Sequence, residues 1–213
     1  TGYIAEVYAG DASVLAANII FSSCIADPRC SSLLGPSSFL CMTEGQLRAV
    51  PKDTEEMWVR SRIEVSVPSY ELSGKSRLRK LLLGQESLKH LRSFVVKDLD
   101  CLESLYANDF VCCGEDQYRK ERLNDGLLSV QHCPKLQVID LGDYTCAEFR
   151  QFSVSDLPSL ECLHLGTDCF AYGREFVLAG NAVAGVQRRS AEAPPRDGEG
   201  VVVPVRPTRR FPK

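Results

Sequence analysis

A short pattern of apolar residues recurs four times along the chain and constrains its fold more than any other feature. The pattern places leucine or a similar residue at the first, fourth and sixth positions of a six-residue stretch. Its copies are residues 78–83, 102–107, 136–141 and 160–165. Because the copies start 24, 34 and 24 residues apart and their flanks recur as well, they indicate a repeated structural unit.

The flanking apolar positions keep the same spacing as the leucines. Eight residues before each copy stands a large apolar residue, and the series is Tyr70, Phe94, Leu128 and Phe152, with Phe176 opening a fifth unit. Ten residues after each first leucine stand Leu88, Cys112, Cys146 and Phe170. The one spacing of 34 residues predicts a ten-residue insertion around residues 114–123, which a stack of repeats can accommodate as a surface loop.

A strand of six residues cannot bury three leucines by itself. Neighbouring copies must therefore stack, so that their leucines form continuous columns and their strands pair in parallel. The pattern predicts a repeat domain in which each unit contacts only its neighbours. An ordinary α/β domain with coincidental leucine spacing is the alternative.

These residues resemble the leucine-rich repeat family, whose defining segment is LxxLxLxxNxL. The asparagine position holds Glu86, Phe110, Tyr144 and Asp168, so the turn after each strand must be built differently. The short sequences at residues 157–160 and 166–170 resemble the divergent, BspA-like repeats of protist and bacterial multi-copy proteins more than they resemble the defining segment. The resemblance implies an α/β repeat, a solenoid of four to five units with a short parallel sheet on its concave side.

The chain divides into three parts on this reading. Residues 70–180 form the repeats, and residues 1–69 form an N-terminal segment or cap. The apolar run at 14–21 predicts a buried helix or strand. Residues 22–53 are rich in Ser, Pro, Gly and Cys, which predicts loops. The alternation of apolar and polar residues over 59–67 predicts a strand. That strand is interpreted as a cap, with a degenerate first repeat as the alternative.

Residues 181–213 predict a disordered, basic, proline-rich tail. They contain seven Lys or Arg against three Asp or Glu, a net charge of +4, which leaves −7 for residues 1–180. An acidic body argues against nucleic-acid binding. Within the tail, Pro204 to Arg209 matches PxxPxR and predicts an SH3-type partner, with a solvated tail as the simpler interpretation. No stretch is long and apolar enough to predict a transmembrane segment.

The ten cysteines show no metal-binding spacing, so we expect no metal. Cys112, Cys133 and Cys146 occupy positions where other units carry apolar residues, which predicts packed core thiols. This favours a reducing, cytoplasmic compartment. A disulfide-bonded cap of Cys24, Cys30 and Cys41 on a cell-surface or secreted protein remains the alternative.

The sequence carries no signature of an enzyme. It lacks GxxxxGK, GxGxxG and GxSxG, and its three histidines fall at different repeat positions. We therefore expect neither catalysis nor a cofactor.

The resemblance implies a protein-binding module that recognises its partner through the concave sheet. Strand alternation makes the residue between the second and third leucine point outward, and these candidate site residues are Leu82, Tyr106, Asp140 and His164. The alternatives are a structural fragment of a longer array and the targeting arm of an enzyme whose catalytic part lies upstream.

Overall fold

The computed structural model describes residues 36–113 and 126–179. Three predictions lie outside them: the apolar run at 14–21, the loop insertion at 114–123, and the tail with its PxxPxR motif. The described elements are β1 (Ser38–Cys41), α1 (Glu44–Arg48), β2 (Glu56–Val59), β3 (Ser69–Leu72), β4 (Lys80–Leu83), β5 (Ser93–Lys97), β6 (Ser104–Ala107), β7 (Leu127–Gln131), β8 (Val138–Leu141), β9 (Gln151–Ser155), β10 (Cys162–Leu165) and β11 (Glu175–Ala179).

The strands form two parallel sheets. One sheet has six strands in the order β1-β2-β4-β6-β8-β10, and the other has five in the order β11-β9-β7-β5-β3. From β2 onward, consecutive strands alternate between the sheets, so each turn of the chain adds one strand to each. The predicted repeat of parallel strands is therefore present, and the leucine pattern coincides with β4, β6, β8 and β10.

The strand register reproduces the spacing of the sequence. In the six-stranded sheet Leu81 pairs with Leu105 and Leu105 with Ile139. In the five-stranded sheet Phe94 pairs with Leu128. The extra ten residues of the 34-residue spacing fall between β6 and β7, where the predicted insertion lies.

The hydrophobic core combines the inward side chains of both sheets. Leu81, Leu105 and Ile139 of the six-stranded sheet are fully buried, and they share one cluster with Phe94 and Phe152 of the five-stranded sheet. Burying one such side chain stabilises the fold by about 1.5–3 kcal/mol. The two sheets thus enclose a single continuous core.

The second sheet differs from the predicted α/β architecture. Where that class expects helices, the described units carry β3, β5, β7, β9 and β11, and the one helix among residues 36–113 and 126–179 is the five-residue α1. The physical reason is alternation: Phe94 and Val96 point into the core while Val95 between them points out. A period of two suits a strand and not a helix.

In the N-terminal part of the described residues, the structure differs from two further predictions. Residues 63–67 are not a strand, although Ile63 and Val65 are buried as their alternation predicts. The strand lies earlier, at β2, where Met57 pairs with Leu81 in the 24-residue register. The segment 22–53, predicted as loops, contains β1 and α1.

Left-handed backbone recurs at three positions of each unit. One column coincides with the missing asparagine and contains Arg62, Glu86, Phe110, Tyr144 and Asp168, with φ between 56° and 60°. A second contains Leu88, Cys112, Cys146 and Phe170, and a third contains Gly74, Asp98, His132 and Asp156. Most of their amides donate to a neighbouring unit, as Phe110 N does to Asp143 O at 2.8 Å. These bonds offset the strain of a conformation that L-residues rarely adopt.

The cysteines predicted as core thiols are buried and free. Cys112, Cys133 and Cys146 are at most 1% exposed and belong to the core cluster, which confirms that prediction. Cys41 is also buried and free, whereas Cys24 and Cys30 lie before the described residues. Within the described ranges, no helix has the length and hydropathy needed to cross a membrane.

Candidate binding face

The four predicted site residues stand side by side on the outer face of the six-stranded sheet. Leu82 pairs with Tyr106, Tyr106 with Asp140, and Asp140 with His164. Their neighbours along each strand point into the core, so alternation directs these four side chains away from it. At about 4.8 Å between strands, the four positions span roughly 15 Å.

Trp58 extends the same row toward the N-terminus. It pairs with Leu82, and Leu40 pairs with Trp58 in turn. The sequence reading missed Trp58 because it placed the strand at 59–67. The signal was present, since Met57 and Val59 stand 24 residues before Leu81 and Leu83. We call Trp58, Leu82, Tyr106, Asp140 and His164 the outer row.

Most of the outer row is buried, although its side chains point away from the core between the sheets. Trp58 is 2% exposed, Leu82 3% and Tyr106 9%, yet none of them belongs to the cluster between the sheets. Large side chains in register on adjacent strands pack against one another, which contributes to this burial. The row is thus an apolar, tightly held surface at its N-terminal end and becomes polar toward β10.

The polar end of the row is an ion-pair site. His164 Nδ1 lies 2.8 Å from Asp140 Oδ1, and the Asp140 side chain is only 8% exposed. The hydrogen bond to Asp140 raises the pKa of His164, against an opposing effect of burial, and the charges of Asp140 and Asp143 add to the rise. Because a buried carboxylate is costly without a partner, His164 holds Asp140 in place on this face.

A column of small residues borders the outer row where the strands end. It contains Gly84, Gly142 and Gly166, with Asn108 at the equivalent position of the second unit. A Cβ on Gly166 would lie 2.6 Å from the carbonyl carbon of Gly142, so this position has no room for a side chain. Beside them, Asp143 Oδ1 accepts from the backbone N of Thr167 at 2.7 Å, and Asp109 Oδ1 accepts from Asp143 N at 3.0 Å.

The chemistry of this face changes along the outer row. Aromatic and aliphatic side chains occupy one end, and a histidine paired with a carboxylate occupies the other. Across the described ranges, no group of three or more His, Cys, Asp or Glu residues is arranged to hold a metal ion.

The chain matches no protein-family model, no curated protein and no solved structure.

Proposed function

We propose that this chain is a protein-binding module, built as a leucine-rich-repeat-like solenoid, that recognises another protein through the outer face of its six-stranded sheet. The observation that supports this best is the outer row. It places Trp58, Leu82 and Tyr106 in register beside the Asp140–His164 pair. Tryptophan and tyrosine held in packed surroundings are the residues that most often dominate binding energies at protein interfaces.

The burial of the row sets the route by which a partner engages it. Trp58 and Leu82 offer almost no free surface, whereas the His164 side chain is 24% exposed. The partner's first contacts therefore form at the Asp140–His164 end. Engagement of the apolar end requires the packed side chains of the row to rearrange, which makes association slower than docking onto a preformed site.

The test compares affinity capture by the 213-residue chain with capture by a Tyr106→Ala/His164→Ala variant. A partner recognised by the outer row should bind the variant at least about tenfold more weakly, because Tyr106 supplies contact area and His164 the charge pair. The matched control is Val95→Ala/Val177→Ala, which alters the outer face of the five-stranded sheet. Equal affinity for both variants would place the binding site off the outer row.

A structural role within a longer repeat array is the second candidate, and one observation favours it. The inward side chains of β11, Phe176 and Leu178, are only partly buried, while the equivalent Phe152 and Val154 of β9 are fully buried. The last described strand thus leaves apolar surface that another unit can cover. Sedimentation measured over a range of concentrations separates the two roles, because an array element associates end to end without a partner.

We further propose a reducing compartment, as in the cytoplasm. Cys41, Cys112, Cys133 and Cys146 are buried free thiols, and burial raises the pKa of Cys41 to about 12 and that of Cys133 to about 11. Free thiols are typical of compartments where glutathione keeps cysteine reduced. The protein isolated from its native source would be denatured and alkylated without prior reduction, and mass spectrometry should then show these thiols labelled.

A further inference from the structure

A cavity of about 400 Å³ opens at the N-terminal end of the six-stranded sheet, apart from the outer row. The segments that follow β1 and β2 line it, and the lining includes Met42, Thr43, Glu44, Arg60, Ile63 and Glu64. Its size falls within the range of small-ligand sites, roughly 300–1,000 Å³. Apolar and charged side chains therefore meet in one partly open pocket.

Two of the charged groups at the cavity are already committed to partners. The Glu44 carboxylate accepts from the backbone N and the hydroxyl of Ser66, both at 2.8 Å, and also pairs with Arg48. Arg62, which also lines the cavity, pairs with Glu86 at 3.3 Å. Neither group needs a ligand to satisfy its charge.

Arg60 differs from them. Its backbone N donates to Cys41 O at 2.9 Å, which fixes the start of the side chain. The side chain is half-buried, and its Nε is buried with no hydrogen-bond partner in the described part of the chain. A buried, charged donor without an acceptor is unfavourable. A small shift of the half-buried side chain would let an anion in the cavity accept from this guanidinium and relieve that cost.

We propose that this cavity binds a single carboxylate, held by the guanidinium of Arg60. A planar guanidinium matches a carboxylate in a two-point geometry, and Met42 and Ile63 offer apolar surface for the carbon chain that carries it. Glu44 and Glu64 line the same space, so a dianion such as phosphate meets more repulsion than a monoanion. The proposal stands independently of the outer row.

A single carboxylate of this kind occurs in two places: on an acidic side chain within a peptide, and at the C-terminus of a polypeptide chain. The experiment follows the Nε–Hε resonance of Arg60 in the ¹⁵N-labelled 213-residue chain, assigned by its loss in Arg60→Lys. N-acetylglutamic acid α-amide represents the side chain, N-acetylalanine represents the chain end, and inorganic phosphate is the third titrant. We expect a saturable shift of this resonance with one of the two carboxylates, and the one that binds more tightly identifies the source.

Arg60→Gln should weaken that carboxylate's binding at least about tenfold, because it removes the charge-assisted hydrogen bonds. Binding to the variants is followed by the backbone amide resonances of the lining residues Thr43 and Ile63, because the Arg60 side-chain resonance is absent from Arg60→Gln. Arg79→Gln is the matched control, since Arg79 is an exposed arginine paired with Glu103 on a later unit, and it should leave binding unchanged. The proposal is overturned if neither carboxylate shifts the resonance, if phosphate binds more tightly than both, or if Arg60→Gln binds as well as the parent.

Thermal melting tests whether Arg60 serves to stabilise the fold and not to bind a ligand. Because its Nε lacks an acceptor, Arg60→Gln should melt at or above the temperature of the parent chain. A clearly lower melting temperature would show that Arg60 stabilises the fold directly, and would overturn the proposal.

Discussion

Single residues at the strand ends decide how closely successive units approach. Gly166 has no room for a side chain, because a Cβ there would lie 2.6 Å from the carbonyl carbon of Gly142 and 2.7 Å from the backbone N of Asp143. Backbone cannot give way as the end of a flexible side chain can. The glycine is therefore required by packing between units and not by its own backbone conformation, since no positive φ is found there.

Gly166→Ala should destabilise the fold by about 1–3 kcal/mol, as overpacking of a close-packed interior does. Gly45→Ala is the matched control, because a Cβ on Gly45 meets nothing closer than 3.9 Å within α1. Alanine there should be neutral or stabilise by roughly 0.5–1 kcal/mol, since it suits a helix better than glycine does. Urea unfolding of both variants measures the difference, and equal effects would contradict the close approach at Gly166.

His164 makes the stability of the six-stranded sheet depend on pH. Its pKa in the folded state is raised above the ordinary value of 6.5, chiefly by the hydrogen bond to Asp140. The protonated form is thus favoured by folding, and its stabilising effect is complete below pH 6.5 and is lost as pH rises through the folded pKa.

Compared with His164→Gln, the parent chain should be relatively more stable at about pH 5.5 than at about pH 8. In an Asp140→Asn background the same comparison should show no such dependence, because the main cause of the raised pKa is removed. Chemical unfolding of the four chains at both pH values tests this. A difference that grows as pH rises would contradict the assigned direction.

At the scale of elements, the turns matter as much as the strands. Asp156 has φ of 55°, its backbone N donates to Ala179 O, and its carboxylate lies 3.1 Å from His132 Nε2. Its counterparts Asp98 and His132 share the conformation. The turns after β5, β7 and β9 thus repeat one strained geometry in successive units.

Asp156→Val should cost about 1–2 kcal/mol of stability or more, because a β-branched residue resists left-handed backbone. Asp156→Gly should be tolerated, since glycine adopts that conformation freely. Asp100→Val is the control at an exposed aspartate without positive φ, and it should have little effect. If valine were as harmless at 156 as at 100, the left-handed turn would be in doubt.

The strands of the six-stranded sheet were predictable because their signal is local. The LxxLxL copies predict β4, β6, β8 and β10 to within two residues at their starts, and the inward direction of Leu81 and Leu163 follows from alternation. The five-stranded sheet was missed although Phe94 and Val96 alternate. Its strands are only four or five residues long, too short for a period of two to stand out.

The candidate site was predictable in position but not in environment. Register places Leu82, Tyr106, Asp140 and His164 together because they share one position in a repeated pattern. Their burial depends on contacts between strands and other parts of the chain, which no local pattern encodes. Arg60 shows the same limit, since an arginine without an acceptor is visible only once its surroundings are known.

At the scale of the whole molecule, the cysteines belong to the packing of the two-sheet core. Cys112 and Cys146 occupy equivalent positions of adjacent units, and both are buried in the core cluster. Burial raises the pKa of Cys146 well above its ordinary value, and the thiol of Cys112 adds to the rise. A protonated, enclosed thiol reacts slowly with alkylating agents and oxidants, because the thiolate is the reactive form.

Reductant should therefore leave the melting temperature of the chain almost unchanged. If the thiols act as small apolar side chains, no covalent link is lost when dithiothreitol is added. Native-state alkylation should label the partly exposed Cys101 before the buried Cys133 and Cys146, which become reactive only as the fold opens. A marked fall in melting temperature with reductant would instead reveal a stabilising disulfide and place the protein in an oxidising compartment. Rapid labelling of Cys146 would contradict its burial between the sheets.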